Sequence, residues 1–144
     1  MIGRGGCSYE ASLYFETKLR FEVDCRQVWE ALHRRRDLVV IDVRDRPSFD
    51  DAHVPGAINV PNVDFLEERL KCFGTETEYV TYGEGAHCNL AVEAALKISQ
   101  AGYRARLKPA GILGWTDAHL PLATAAVDAR PRSLIEVAVT DGSS

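Results

Sequence analysis

Residues Ile41 to Pro61 read IDVRDRPSFDDAHVPGAINVP and hold a strand end, a polar turn-rich stretch and a second strand in one segment. The segment continues the apolar run Leu38-Val39-Val40-Ile41, which is short and rich in β-branched residues. A run of that length without polar alternation suits a strand buried on both faces, as in a parallel sheet. Asp42 and Arg44 follow at its end, where a carboxylate and a guanidinium can pair and hydrogen-bond nearby backbone. A polar, proline-containing stretch then leads to Gly56. His53 precedes Val54-Pro55-Gly56, in which proline fixes φ and glycine permits a tight turn. Ala57-Ile58-Asn59-Val60 reads as a further short strand, ended by Pro61.

Toward the N-terminus, residues 1–8 are rich in glycine and are expected to be flexible. Tyr9 to Leu19 is expected to form a helix and Phe21 to Val23 a short strand. Asp24 is a good N-cap for a helix from Cys25 to Arg35, with Val28, Trp29 and Leu32 on one face. Toward the C-terminus, the expected elements are a helix over Val63 to Lys71 and a strand over Tyr79 to Tyr82. A helix over Asn89 to Ala101 follows, with Ala91, Ala94, Ala95 and Ile98 on an apolar stripe and Gly102 placed to end it. Arg104 to Lys108 reads as a strand and Ile112 to Ala118 as a short helix around Trp115. Strands alternating with helices predict an α/β fold with a mainly parallel central sheet and helices on both faces. Ligands in such folds sit beyond the carboxyl ends of the strands. The domain is expected to span residues 9–122, with 123–144 as an extension. Within it, Ser133 to Thr140 could form an added strand, a partner contact or a disordered tail.

The chain has 144 residues, 46% of them apolar and 26% charged, which fits one folded domain and argues against overall disorder. Its net charge of −4 gives no reason to expect nucleic acid as a partner. The one basic run, His33 to Arg36, falls where a helix should end and complements the helix dipole. No apolar run approaches the roughly 20 residues needed to span a bilayer, and the first residues lack the apolar core of a signal peptide. The expected setting is cytoplasmic, with no membrane contact. Cys7, Cys25, Cys72 and Cys88 form no CxxC pair and are read as free thiols.

The stretch from Ile41 to Pro61 resembles the first signature of the rhodanese superfamily. Two more segments match in order: YVTYGEGAHCNLAVEAAL, from Tyr79, and AGILGWTDAHLPL, from Ala110, which resembles the family's closing G-G-x-x-x-W segment. Together they cover roughly Leu38 to Leu122. The resemblance implies a three-layer α/β/α fold, no cofactor, and a small sulfur-containing anion or a protein thiol as partner. It implies a structural role for Asp42, Arg44, His53, Pro55, Gly56, Gly111 and Trp115. Ser48 stands where the family usually has Glu, and Ala52 where it usually has Gly. Ser48 removes an expected ion partner of Arg44, so a different local network is expected.

By the same resemblance, the six-residue active-site loop would be Gly83, Glu84, Gly85, Ala86, His87 and Cys88. Backbone N–H groups and the following helix start make such a loop an anion cradle. In active members the first loop residue is a cysteine that takes a sulfur atom from thiosulfate or a related donor and becomes a persulfide. Here that residue is Gly83. Glu84 adds a negative charge which, at ~4 Å and an effective dielectric near 20, would repel an anionic donor by about 4 kcal/mol before screening. Some members carry cysteines at both the first and sixth positions, in a pattern like YCWGPGCNGA. Gly85, Cys88, Asn89 and Ala91 match that pattern, so this chain keeps only the second thiol. His87 beside it could assist, and Cys88 could equally be a small residue packed at a helix start.

Other chemistries fit less well. Gly83-x-Gly85 lacks the third glycine and the downstream acid of a dinucleotide fingerprint. A phosphatase loop would need one more residue, a nucleophilic cysteine and an arginine. Cys72, His87 and Cys88 have no standard metal-ligand spacing, and no metal is expected. Two functions remain: an inactive or attenuated module used for binding or regulation, as a monomer or homodimer; or an unconventional sulfurtransferase or thiol enzyme forming a persulfide on Cys88.

Overall fold

In the structure, a computed structural model in which residues 2–125 are described, the apolar run from Leu38 forms β1 (Leu38–Asp42) at the middle of a sheet. β2 (Ile58–Asn59) lies on one side of it and β3 (Glu78–Tyr82) on the other, with β4 (Arg104–Leu107) beyond, in the order β2-β1-β3-β4. All pairings are parallel: Val40 opposes Val80 across β1 and β3, and Val80 opposes Arg106 across β3 and β4. Each return therefore crosses over through a helix.

Side chains alternate between the two faces. Leu38, Val40, Val80 and Tyr82 meet Val28 and Leu32 of α2 (Cys25–Arg34) and Ile112 and Trp115 of α6 (Gly111–Asp117). Ile41 and Tyr79 face the other way, onto Leu66 and Leu70 of α4 (Leu66–Lys71) and Ala91, Ala94 and Ile98 of α5 (Leu90–Gln100). The architecture is the expected three-layer α/β/α sandwich. Every residue of β3 is buried, as the unbroken apolar-aromatic run anticipates. Its one acid, Glu78, sits at the strand start against Arg35 and Arg106, at 2.6 and 2.9 Å.

Three local expectations are corrected. No strand forms at Phe21–Val23. Instead α1 (Ser8–Phe21) continues to Phe21, and Glu22 makes an isolated bridge to Leu107, because the i,i+4 pair Lys18–Glu22 extends the helical turn. The stretch read as irregular contains α3 (Arg46–Asp51), whose N-cap Asp45 accepts from the Ser48 N–H at 2.9 Å. Pro47 in its first turn needs no N–H donor there. The helix over Val63–Lys71 divides into a 3-10 turn at Val63–Phe65 and α4. Among the described residues no helix is long and apolar enough to cross a membrane. The expected strand at Ser133 to Thr140 lies outside the described residues.

Candidate functional site

β3 ends at Tyr82, and after six intervening residues Asn89 stands at the N-cap of α5, so the Gly83–Cys88 loop lies at the carboxyl end of the sheet. Beneath it, the first signature builds a buried polar network. Asp42 is fully buried and faces Arg44, with a closest contact of 2.8 Å. Arg44 also donates to the Ala52 carbonyl, at 2.5 Å. The Tyr82 hydroxyl donates to Asp42 Oδ2 at 2.6 Å and accepts from the Val54 N–H at 3.0 Å. Burial, reinforced by the Asp42 carboxylate, raises the Tyr82 phenol far above its ordinary value, so it stays a donor. His53 is buried, stacks on Phe49 at 3.8 Å, and its Nδ1 contacts the Phe49 carbonyl at 2.7 Å. Asp42, Arg44 and His53 thus hold the platform under the loop.

The missing acid at Ser48 is answered from the loop itself. Arg44 Nη1 lies 3.5 Å from Glu84 Oε1, with the Glu84 side chain 56% exposed. The carboxylate is drawn to the rim and into solvent, which weakens the repulsion of an anion expected from sequence.

Gly83 is buried, and the loop closes on itself around it. A Cβ built on Gly83 would lie 3.1 Å from Cys88 Sγ and 3.6 Å from Cys88 Cβ. Cys88 is half-buried, so its sulfur fills part of the space a side chain at 83 would use. From the other side, α6 holds the loop. The Ile112 N–H donates to the Gly83 carbonyl at 2.9 Å and the Leu113 N–H to the Glu84 carbonyl at 3.1 Å. Gly111 has φ +55°, and a Cβ there would overlap the Gly83 carbonyl oxygen. Trp115 is buried and fixes the following turn by donating to the Pro121 carbonyl at 2.7 Å. With the Gly83 and Glu84 carbonyls taken up by α6, the N–H groups of Glu84, Gly85, Ala86 and His87 have no hydrogen-bond partner among the described residues.

A cavity of about 90 Å³ adjoins Cys88, lined by Gly83, Gly85, Ala86, Val92 and the turn from Pro109 to Gly111. A hollow of about 290 Å³ between α4 and α5 holds no nucleophile and lies away from the loop. Pro55 and Gly56 form the turn that brings Val54 to Tyr82.

Sequence reasoning missed Lys108. It is 1% exposed, donates to the Gly111 carbonyl at 2.5 Å, and lies 5.8 Å from the Tyr82 and Trp115 ring centres. Burial pushes its ammonium below the ordinary lysine range, opposed by the neighbouring Cys25 thiol. Its position just before the Pro109-Ala110-Gly111 turn was the only signal. Cys72 is exposed at the end of α4 and contacts the Glu68 carbonyl, and Cys7 caps α1. Among the described residues, no group of three or more His, Cys, Asp and Glu could hold a metal ion.

The profile of the Rhodanese-like domain family matches residues 24–118, most of the chain. The chain belongs to the rhodanese-like domain family. A rhodanese-like fold also describes its structural neighbours. The BH2092 protein from Bacillus halodurans is 28% identical with a TM-score of 0.75, over 83% of this chain and 88% of that one. The thiosulfate sulfurtransferase from Pseudomonas aeruginosa is 19% identical with a TM-score of 0.65, over 76% of this chain and 21% of that one, a likeness of fold alone. In sequence, 95 residues of the chain are 34% identical to the HTH-type transcriptional regulator Rv0324 of Mycobacterium tuberculosis. That match takes in 65% of this chain and 42% of the regulator, so the chain spans less than half of that relative's length.

Proposed function

We propose that this rhodanese-like domain is a binding or regulatory module that turns over little or no thiosulfate. The carrying observation is Gly83, which stands first in the loop and offers no side chain to take up sulfur. The four N–H groups without partners, from Glu84 to His87, support a small sulfur-containing anion or a protein thiol as the guest. Similarity to part of a transcriptional regulator favours a binding role over turnover. A cytoplasmic, reducing setting suits the four free thiols. The test is thiocyanate formation from thiosulfate and cyanide: the native chain is expected at background, and turnover at rates normal for a sulfurtransferase would sink the proposal.

One observation favours a second reading, in which Cys88 carries sulfur. Its Sγ sits beside the place a residue-83 side chain would start. The Cys88 thiolate would attack the outer sulfur of thiosulfate, forming an S–S bond while the outer sulfur's bond to the sulfonate breaks. The products are a Cys88 persulfide and sulfite, which leaves with the bonding pair. Mass spectrometry after incubation with thiosulfate locates the added sulfur, and equal uptake by Cys88→Ser eliminates this reading.

A further inference from the structure

β4 reads RARL, Arg104 to Leu107, where a strand of a parallel sheet is ordinarily apolar. It is an edge strand, and charges on an edge deter pairing with another chain. That role needs no concavity, yet both guanidinium groups line one. A cavity of about 380 Å³ opens beside β4, larger than the hollow between α4 and α5 and of the size of small-ligand pockets. Three elements converge on it. The end of α1 brings Arg20 and Phe21, the end of α5 brings Ser99, and the approach to β4 brings Tyr103. Glu78, at the start of β3, is the one acid among its described lining residues.

We propose that this cavity binds an organic phosphate of nucleotide size, with the phosphate on the arginines and a planar ring beside Phe21. The charges select an anion. Arg20, Arg104 and Arg106 against Glu78 leave a formal charge of +2 on the lining, in a chain of net charge −4. Glu78 is held by Arg106 at 2.9 Å and by Arg35 at 2.6 Å, so its carboxylate is compensated from two sides. Asp37, a further carboxylate near Arg104, is held by Arg35 at 3.0 Å. The donors are open. Arg20 makes no hydrogen bond or ion pair with the described residues, and its guanidinium lies 5.3 Å from the Phe21 ring centre. Arg104 donates through Nη2 to the Glu76 carbonyl, and Arg106 through Nε to Glu78. Further N–H groups of both have no partner among the described residues. Such groups match phosphate oxygens in pairs, and a phosphomonoester of nearly two negative charges offsets the +2. A ring has its own platform. Phe21 is 48% exposed, and an aromatic face beside a guanidinium is a surface on which a planar base stacks. Tyr103 is held edge-on to Tyr79 at 5.9 Å, and its hydroxyl has no partner among the described residues, so it is free to meet a polar edge of the ligand. None of these residues lines the cavity at Cys88, so the two sites are separate.

The probe is adenosine 5′-monophosphate, titrated into the nitrogen-15-labelled full chain, with adenosine alone and inorganic phosphate alone as separate arms. The monophosphate is expected to give saturable amide shifts at Arg20, Phe21 and from Ser99 to Arg106, with a Kd below about 1 mM. Adenosine and phosphate are each expected to bind at least about tenfold more weakly, because each meets only half of the site. Arg20→Ala removes no hydrogen bond or ion pair of the fold, and Arg104→Ala removes one. Each is expected to weaken the monophosphate at least about tenfold, with an unchanged circular dichroism spectrum. Shifts confined to the Gly83–Cys88 loop, or no saturable shift up to about 10 mM, overturn the proposal. So does an Arg20→Ala chain that binds the monophosphate as tightly as the native one, or inorganic phosphate that binds as tightly as the monophosphate.

Discussion

A Cβ on Gly83 would stand 3.1 Å from the sulfur of Cys88 and 3.6 Å from its Cβ. These two positions bracket the loop, and the distance between them is that of bridged cysteines, whose Cβ atoms lie about 3.5–4.5 Å apart. Gly83→Cys is therefore expected to form an 83–88 disulfide on mild oxidation. Non-reducing peptide mapping reads it. Two free thiols at these positions after oxidation would mean that the loop does not hold the geometry described.

The Asp42–Arg44–Tyr82 network is expected to dominate local stability. Asp42→Ala strands a guanidinium whose side chain is 10% exposed, and should cost about 3–5 kcal/mol in urea unfolding. Tyr82→Phe leaves the Val54 N–H without its partner and should cost about 1–3 kcal/mol. A loss below about 0.5 kcal/mol for Asp42→Ala, the range of an exposed pair, would contradict the network's burial.

Gly111 is the point where α6 touches the loop. Gly111→Ala adds a methyl group into the Gly83 carbonyl at a positive φ, and is expected to destabilise by about 2–4 kcal/mol. Gly114→Ala, in the same helix, meets the Ala110 Cβ at 2.7 Å rather than loop backbone. Hydrogen exchange should therefore show loosened amides from Gly83 to Cys88 in the first variant and not in the second. Equal loosening in both would remove Gly111 as the specific contact.

Lys108 gives a pH dependence. Burial holds its pKa below that of the unfolded chain, so between the two values the unfolded chain binds more protons and stability rises with pH. This contribution is absent from Lys108→Met. The stability of the native chain relative to Lys108→Met should increase from neutral pH toward about 10, the unfolded lysine value. A constant difference across that range would show that Lys108 is not desolvated as described.

Much of this was legible in the sequence. β1, β3 and α5 announce themselves through an apolar β-branched run, an aromatic β-branched run and an alanine stripe, signals that depend only on which face is buried. The Asp42–Arg44 pair follows from their spacing at a strand end. α3 was hidden because Arg46–Asp51 carries no apolar periodicity, and its start depends on a single cap at Asp45. The Glu84–Arg44 contact spans 40 residues and exists only once β1 and β3 lie side by side. Lys108 was missed because a lysine after RARL reads as a solvated strand end, whereas the Pro109–Gly111 turn folds back over it.

The absence of a side chain at Gly83 is the centre of this account, and the most direct measurement is thiosulfate-dependent thiocyanate formation by the native chain and by Gly83→Cys, side by side under reducing conditions. The native chain is expected at background and Gly83→Cys well above it, because the substitution returns a thiol to a loop that still offers its backbone donors. Native turnover equal to that of Gly83→Cys would contradict the account and shift the chemistry to Cys88.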